Sequence, residues 1–193
     1  FARAEFERFM AQVPAHVLVV LDEAYVEYAT DQDFINGFDY ANQYPNLIVS
    51  RTFSKAYGLA SLRVGYAIAS VDVTNILNRV RQPFNVNSFA LAAATAALQD
   101  ENFVGQSRAL NSAGMAQLEA GLSALGLSFI PSKGNFIAFD TGRPCLPVFQ
   151  ALLQQGVIVR PIANYGLPTY LRVSIGLESE NSRFLTALAQ VLR

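Results

Sequence analysis

Short apolar runs and longer helical patterns alternate along the first half of the chain. The runs in residues 16–21 and 46–50 are rich in β-branched side chains, and their short length favours strands that are buried on both faces. Such strands are typical of a parallel sheet covered by helices. Residues 63–70 form a third, shorter strand pattern. Together the three runs predict the sheet of an α/β domain.

Three helices are predicted after these strands. Residues 71–82 carry apolar side chains at helical spacing and end before a proline, which cannot continue a helix. Residues 85–100 are alanine-rich, and Asn87 or Ser88 is the predicted N-cap. A long helix with an apolar stripe is predicted from Glu101, and Gly126 is its predicted stop.

The pattern changes after the long helix. Residues 127–140 predict two short strands around a Pro/Gly turn, and residues 145–156 predict a short helix. Two more strands are predicted in residues 157–162 and 170–176, and a closing helix in residues 178–192. This order predicts two domains. Residues 1–105 supply strands of an α/β sheet, and residues 106–193 form a compact α+β domain.

Composition narrows the class of protein. Of the 193 residues, 52% are hydrophobic and 15% are charged, which suits a packed core rather than a disordered chain. The net charge of −1 predicts no basic surface for nucleic acid or an anionic membrane. A single cysteine, Cys145, excludes an internal disulfide and a multi-cysteine zinc site, and it favours the cytoplasm. No apolar stretch is long enough for a membrane span, and no metal site is predicted.

Polar side chains follow two of the predicted strands. Asp22 ends the first run, and Lys55, one of only two lysines in the chain, follows the second. Because the ends of parallel neighbouring strands meet at one edge of a sheet, we expect Asp22 and Lys55 at the same edge. Taken singly, Lys55 is also consistent with a solvated loop residue, and Asp22 with a metal ligand, a nucleotide ligand or a helix cap. Arg63 is equally consistent with a structural ion pair.

Taken together, these groups suit the cofactor pyridoxal phosphate. It needs an amine for a Schiff base, a carboxylate beside its ring nitrogen, and hydroxyl, N–H and arginine groups around its phosphate. It also benefits from a hydrogen-bond donor to its phenolate oxygen. The candidate residues for these contacts are Lys55, Asp22, Thr52, Ser54, Arg63 and Tyr25.

In their order along the chain, six segments resemble the histidinol-phosphate aminotransferase family of fold-type I, aspartate-aminotransferase-like enzymes. The segments are LDEAYVEY, SRTFSKAYGLASLRVGYAIA, RQPFNVN, GNFIAF, GVIVRPI and LRVSIG. The resemblance implies that residues 1–105 are the C-terminal part of a cofactor-binding large domain, with a mainly parallel sheet and helices on both faces. Residues 106–193 would be the small α+β domain. The chain would thus be the C-terminal half of such an enzyme, inactive or nearly so alone.

The resemblance also implies roles for the cofactor-side residues. Lys55 would bind the cofactor covalently and move protons during catalysis. Asp22 would pair with the pyridine nitrogen, and Tyr25 would donate to the phenolate oxygen. The phosphate would lie beside Thr52, Ser54 and Arg63.

For the substrate, the resemblance points to the second domain. Arg172 would bind the α-carboxylate through both arms of its guanidinium, and Arg160 would lie near the distal, phosphate-bearing end. Asn135, on the strand leading into that site, would support it.

The implied activity is amino transfer between histidinol phosphate and 2-oxoglutarate in histidine biosynthesis, carried out by a cytoplasmic homodimer. The implied small-molecule partners are therefore an amino donor and a 2-oxo acid. Three alternatives remain: an aromatic aminotransferase, a threonine-phosphate decarboxylase, and the aminotransferase-like sensor domain of a transcription regulator.

Overall fold

A computed structural model describes residues 2–31 and 33–193. The chain divides into two compact units, Phe1–Gly105 and Gln106–Arg193. The first contains a three-stranded sheet and the second a four-stranded sheet. Among the described residues, no helix is both long and apolar enough to cross a membrane.

The sheet of the first unit is mixed. Its strands β1 (Val19–Asp22), β2 (Leu47–Thr52) and β3 (Gly65–Ala69) lie in the order β1-β2-β3. The predicted parallel pairing is confirmed for β1 and β2, whereas β3 runs antiparallel to β2. The α/β class is thus correct, but a mainly parallel sheet is not what this unit contains. A parallel neighbour needs a crossover, usually a helix, and the connection in residues 53–64 carries only a 3₁₀ turn, Ala60–Leu62.

Strand β1 also differs from the expectation of a strand buried on both faces. Val19 and Leu21 pack against the first unit's core, whereas Val20 on the opposite face is 62% exposed. In contrast, Leu47 and Val49 on one face of β2 are fully buried, and Ile48 on its other face is buried as well. On β1, therefore, only the face that carries Val19 and Leu21 is packed.

The helices of the first unit begin with one that the sequence patterns did not predict. This helix, α1 (Arg3–Met10), buries Phe6 and Met10 in a core shared with Leu47. The other two helices of this unit, α2 (Val71–Val80) and α3 (Ser88–Ala97), confirm the predicted ones, as does α4 (Glu101–Ala124), most of which belongs to the second unit. Of the two candidate caps of α3, the structure selects Asn87, whose side chain accepts a hydrogen bond from the Ala90 N–H (2.9 Å).

The second unit has an antiparallel sheet. Its strands are β4 (Phe129–Ile130), β5 (Phe136–Asp140), β6 (Arg160–Pro161) and β7 (Tyr170–Ser174), in the order β4-β5-β7-β6. Helices α5 (Cys145–Gln154) and α6 (Glu178–Val191) complete the predicted set. Its core is built from fully buried side chains of the sheet and of α4, α5 and α6, among them Ile137, Phe139, Leu171, Leu118, Leu122, Leu152 and Leu188.

Candidate active site

The ends of β1 and β2 bring the first group of predicted residues together. Asp22 is in register with Ser50, and the Glu23 N–H donates to the Ser50 carbonyl (2.9 Å), which extends the ladder by one step. The exposed Asp22 carboxylate accepts hydrogen bonds from the Ala24 N–H (3.2 Å) and the Ser50 hydroxyl (3.3 Å). The strand ends therefore hold a carboxylate at the sheet edge, with its Oδ1 fixed from both strands.

The loop after β2 presents Lys55. Its turn is fixed by the Ser54 N–H, which donates to Thr52 Oγ1 (3.1 Å), and by the Gly58 N–H, which donates to the Lys55 carbonyl (2.9 Å). Lys55 Nζ lies 5.5 Å from the centre of the Tyr25 ring, within the range of a cation–π contact. The structure thus brings Tyr25, from the segment after β1, to the amine that follows β2.

Arg63 approaches the same loop from the start of β3. Its backbone is left-handed, with a φ of 53°, which is uncommon for a residue other than glycine. From this position Nη1 donates to the Ala60 carbonyl (2.7 Å) and reaches Ser54 Oγ (3.5 Å). Ser54 and Arg63 are therefore adjacent, as a shared anion site requires. Thr52 contributes through the loop, because its hydroxyl accepts from the Ser54 backbone.

Aromatic side chains pack under this loop. The ring of Phe53 lies 5.0 Å from that of Tyr57 and 5.6 Å from that of Tyr66, centre to centre. Burial raises the pKa of Tyr57, and the negative charge of Glu27 raises it further. Tyr57 consequently stays protonated, which favours a packing role for this tyrosine over an acid–base one.

The structure adds an ion pair that sequence reasoning did not predict. Arg51 donates to Glu23 Oε2 from Nε (2.9 Å) and from Nη2 (2.8 Å), and the Glu23 side chain is only 2% exposed. Both residues point to the sheet face opposite Asp22, since neighbouring strand residues alternate. The available sequence signal is the acidic residue that directly follows Asp22 at the strand end, and a metal ligand was one of the three alternatives for Asp22. The described residues contain no group of three or more His, Cys, Asp or Glu side chains placed for a metal.

In the second unit two predicted arginines lie opposite each other. Arg160 on β6 is in register with Arg172 on β7, and the Arg172 guanidinium lies 4.7 Å from the centre of the Phe136 ring. Across the described part of the chain, no carboxylate forms a salt bridge with either arginine. The backbone carbonyl of Asn135 accepts a hydrogen bond from the Ile175 N–H (2.9 Å), just after the end of β7. Two arginines without a protein counter-ion can bind an anion.

The model of the family "aminotransferase class I and II" matches residues 1–188. The chain belongs to this family. Within the family it is 68% identical over 192 residues to histidinol-phosphate aminotransferase 2 of Pseudomonas aeruginosa, covering 100% of this chain and 52% of that protein. It is 64% identical, with the same coverage, to the enzyme of the same name from Pseudomonas fluorescens. The chain thus spans about half the length of these curated relatives.

Solved aminotransferase-family structures share the fold. Histidinol-phosphate aminotransferase from Sinorhizobium meliloti, in complex with pyridoxal-5′-phosphate, is 29% identical, with a TM-score of 0.91. The match covers 100% of this chain and 53% of that one. L-threonine-O-3-phosphate decarboxylase from Porphyromonas gingivalis is 25% identical, with a TM-score of 0.85 over 98% of this chain and 59% of that one.

Proposed function

We propose that the complete protein is a pyridoxal-phosphate-dependent aminotransferase that transfers an amino group between histidinol phosphate and 2-oxoglutarate, in histidine biosynthesis. The single observation that carries the proposal is the cluster at the ends of β1 and β2, where Lys55 meets Tyr25 near a fixed Asp22 carboxylate. Relatives named histidinol-phosphate aminotransferase at 68% and 64% identity support the choice of amino donor.

The residues present fit the cofactor. Pyridoxal phosphate carries an aldehyde, a basic ring nitrogen, a phenolate and a phosphate dianion, and each has a matching group in the first unit. Lys55 provides the amine, Asp22 the carboxylate, and Ser54 with Arg63 a hydroxyl–guanidinium pair only 3.5 Å apart. When bound, the cofactor supplies an electron sink that stabilises negative charge on the substrate carbon.

Each residue then has a defined task. Lys55 holds the cofactor covalently and, once displaced by substrate, carries the proton between two carbons. Asp22 keeps the ring nitrogen protonated, which is possible because a carboxylate favours a neighbouring cation. Tyr25 donates to the phenolate oxygen. Arg63 and Ser54 bind the phosphate, and Thr52 shapes the loop that carries Ser54.

The second unit supplies the substrate-side residues of the proposal. Arg172 binds a carboxylate with its planar fork, Arg160 binds the distal phosphate, and Asn135 supports the strand beside them. Among the described residues neither arginine has a carboxylate partner. This supports the assignment, because a bound anion would relieve the repulsion between like charges that face each other across two strands.

The wider parts of the proposal follow from the same assignment. The unit in residues 1–105 is the C-terminal part of the cofactor-binding large domain, and that in residues 106–193 is the small domain. The complete enzyme works as a homodimer in the cytoplasm, on an amino donor and a 2-oxo acid.

One observation favours a second candidate reaction. The structural similarity to a threonine-phosphate decarboxylase indicates that this fold also carries decarboxylation of a phosphorylated amino acid. The two candidate reactions can be distinguished by assaying the complete protein in parallel with histidinol phosphate, phenylalanine and threonine phosphate. Amino transfer from histidinol phosphate supports the proposal, and carbon dioxide release from threonine phosphate supports the alternative.

Substitution of Lys55 tests the proposed cofactor chemistry. In the complete protein, Lys55→Ala should abolish both amino transfer and the visible absorbance band of lysine-bound pyridoxal phosphate. Lys133→Ala, which removes the other lysine of this chain, should keep the band. Borohydride reduction and mass spectrometry should locate the cofactor on Lys55. A Lys55→Ala protein that retains the band and the activity would falsify the assignment.

A further inference from the structure

The Glu23–Arg51 ion pair joins three segments directly behind the candidate site. Glu23 follows the last residue of β1, and Arg51 lies in β2 between Ser50 and Thr52. Glu23 Oε2 accepts two hydrogen bonds from Arg51, at 2.9 and 2.8 Å, and Glu23 Oε1 accepts one from the Gly37 N–H (2.5 Å). Both carboxylate oxygens are therefore occupied, each by a different segment.

Arg51 is fixed as fully as its partner. Beyond Glu23, its Nη2 donates to Asn36 Oδ1 (2.7 Å), and its guanidinium lies 3.5 Å from the centre of the Phe38 ring. The turn in residues 36–39 reaches the pair because Gly37 has no side chain. A Cβ there would lie 2.8 Å from Leu21 Cδ2 and from Val49 Cγ1.

Both residues of the pair are close along the chain to residues assigned to the cofactor. On one strand Glu23 is the neighbour of Asp22 and precedes Tyr25 by two positions. On the other, Arg51 precedes the loop of Ser54 and Lys55. A change in the Glu23–Arg51 geometry would therefore move the carboxylate and phenol relative to the amine.

Stability alone does not explain an ion pair at this place. A buried ion pair gains little net free energy, since the cost of removing both charges from water offsets much of their attraction. Apolar side chains of similar volume would serve a merely structural role as well or better. A rigid, multiply hydrogen-bonded pair does give a fixed geometry, and reacting groups displaced by about 1 Å can cost about 100-fold in rate.

We propose that Glu23 and Arg51 are positioning residues, which set the spacing between Asp22 and Tyr25 on one strand end and Ser54 and Lys55 on the other. This inference rests on the proposed function. It assigns a task to two residues that contact neither cofactor nor substrate, and it predicts that their loss changes the cofactor's electronic environment as well as the stability of the fold.

The test uses the complete protein loaded with pyridoxal phosphate and three variants: Glu23→Gln, Arg51→Gln and the double variant. We expect each to move the pH midpoint of the cofactor's absorbance change by at least about 0.5 unit and to lower kcat by about tenfold or more, with KM changed less than threefold. The double variant, which leaves no unpaired charge, should regain stability relative to Arg51→Gln without regaining the wild-type midpoint.

Glu7→Gln is the matched control. It makes the same carboxylate-to-amide change in the same unit, and it weakens the hydrogen bond from the Tyr40 hydroxyl to Glu7, which is not part of the candidate site. We expect it to lower stability while leaving the absorbance midpoint unchanged. If Glu23→Gln does not fold, Arg51→Lys, which keeps the charge but loses the planar fork, carries the same test.

Two results overturn the inference. Variants of Glu23 or Arg51 with altered stability but a wild-type midpoint and kcat would reduce the pair to a structural role, while leaving the proposed function intact. A wild-type protein that shows no absorbance band with pyridoxal phosphate would overturn the proposed function, and the inference with it.

Discussion

Replacing Arg172 by glutamine should lower the activity strongly while leaving the stability of the fold nearly unchanged. Arg172 lies on β7 opposite Arg160, partly buried, with its guanidinium 4.7 Å from the Phe136 ring centre. In the proposed function it binds the carboxylate of 2-oxoglutarate. Glutamine keeps a polar side chain of lesser length but loses the charge and the fork.

The loss of activity can be bounded. Removing one partner of a hydrogen-bonded charge pair in a binding site costs about 2–5 kcal/mol, because the other charge is left unpaired. At about 1.4 kcal/mol per tenfold, kcat/KM for 2-oxoglutarate should fall about 30- to 4,000-fold. Arg172→Lys keeps the charge without bidentate geometry, so its loss should lie between those of the wild type and Arg172→Gln.

The stability of the same variant should hardly change. The substitution removes the contact with the Phe136 ring, worth about 0.5–1 kcal/mol at an incompletely buried site. It also removes the repulsion between two arginines facing each other, which costs roughly 0.2–1 kcal/mol. The two effects have opposite sign and similar size, so the net change should stay within about 1 kcal/mol.

The assay is the half-reaction with 2-oxoglutarate, followed in a stopped-flow spectrophotometer with the complete protein, beside a urea unfolding curve. Arg143→Gln is the control. Arg143 is an exposed arginine of the same unit whose Nη2 donates only to the Leu192 carbonyl (3.3 Å) among the contacts seen. It should leave the half-reaction within about twofold of wild type, since Arg143 is not among the residues assigned to the substrate or the cofactor.

A loss of less than threefold in kcat/KM for Arg172→Gln would refute a role of Arg172 in binding the carboxylate of 2-oxoglutarate. That role is also refuted if the variant is destabilised by several kcal/mol, since an arginine that supports the fold would then be the better description. A similar loss in Arg143→Gln would show that any positive charge on this unit has the effect.

Two further predictions concern the first unit. The hydrogen bond from Tyr40 to Glu7 and then burial raise the pKa of Tyr40 above its ordinary 10.0. The stabilisation linked to this pKa should therefore be fully present below pH 10 and should be lost as the pH rises through the raised pKa of the folded protein. Tyr40→Phe should make this loss smaller, as measured by urea unfolding midpoints from pH 8 to 11. An unchanged slope contradicts this account. Gly65→Ala should lower the free energy of unfolding by about 1–3 kcal/mol, because a Cβ would lie 2.7 Å from the Arg51 carbonyl oxygen. Gly105→Ala in α4, where a Cβ would meet open space, should raise the free energy of unfolding by up to about 1 kcal/mol. Equal effects in the two urea curves would refute the steric reason.

Much of the fold could be predicted because its signals are local. Helix α3 follows from an alanine-rich run and one capping side chain, Asn87, and β2 follows from an apolar run that is buried as expected. Helix α1 carries no such signal. Its N-cap is Ala2, whose side chain cannot cap. The Arg3 N–H instead donates to the distant Asp33 carbonyl (2.9 Å), and Glu5 accepts from the Ala2 N–H (3.2 Å).

Features that depend on distant residues could not be predicted in the same way. The direction of β3 depends on its connection to β2, which carries no crossover helix, and an apolar run has no direction of its own. The position of Asp22 could be predicted from its place at a strand end, whereas its neighbour Glu23 finds its partner Arg51 only through the β1–β2 register. The Arg160–Arg172 pairing likewise depends on strand register, which single-strand patterns do not specify.

The features that sequence patterns missed are also those that simple stability would disfavour. A carboxylate that is 2% exposed needs a partner and several hydrogen bonds to be tolerated, and two facing arginines repel each other at a cost of roughly 0.2–1 kcal/mol. A chain under selection for folding alone would lose both, since apolar residues at Glu23 and Arg51, or one neutral residue at Arg160 or Arg172, would be at least as stable. Local conflicts that persist are expected where function requires them. The two arginines and the buried pair thus support the proposed chemistry on independent grounds. The first pair would gain from an anionic ligand, and the second would fix the groups that hold the cofactor.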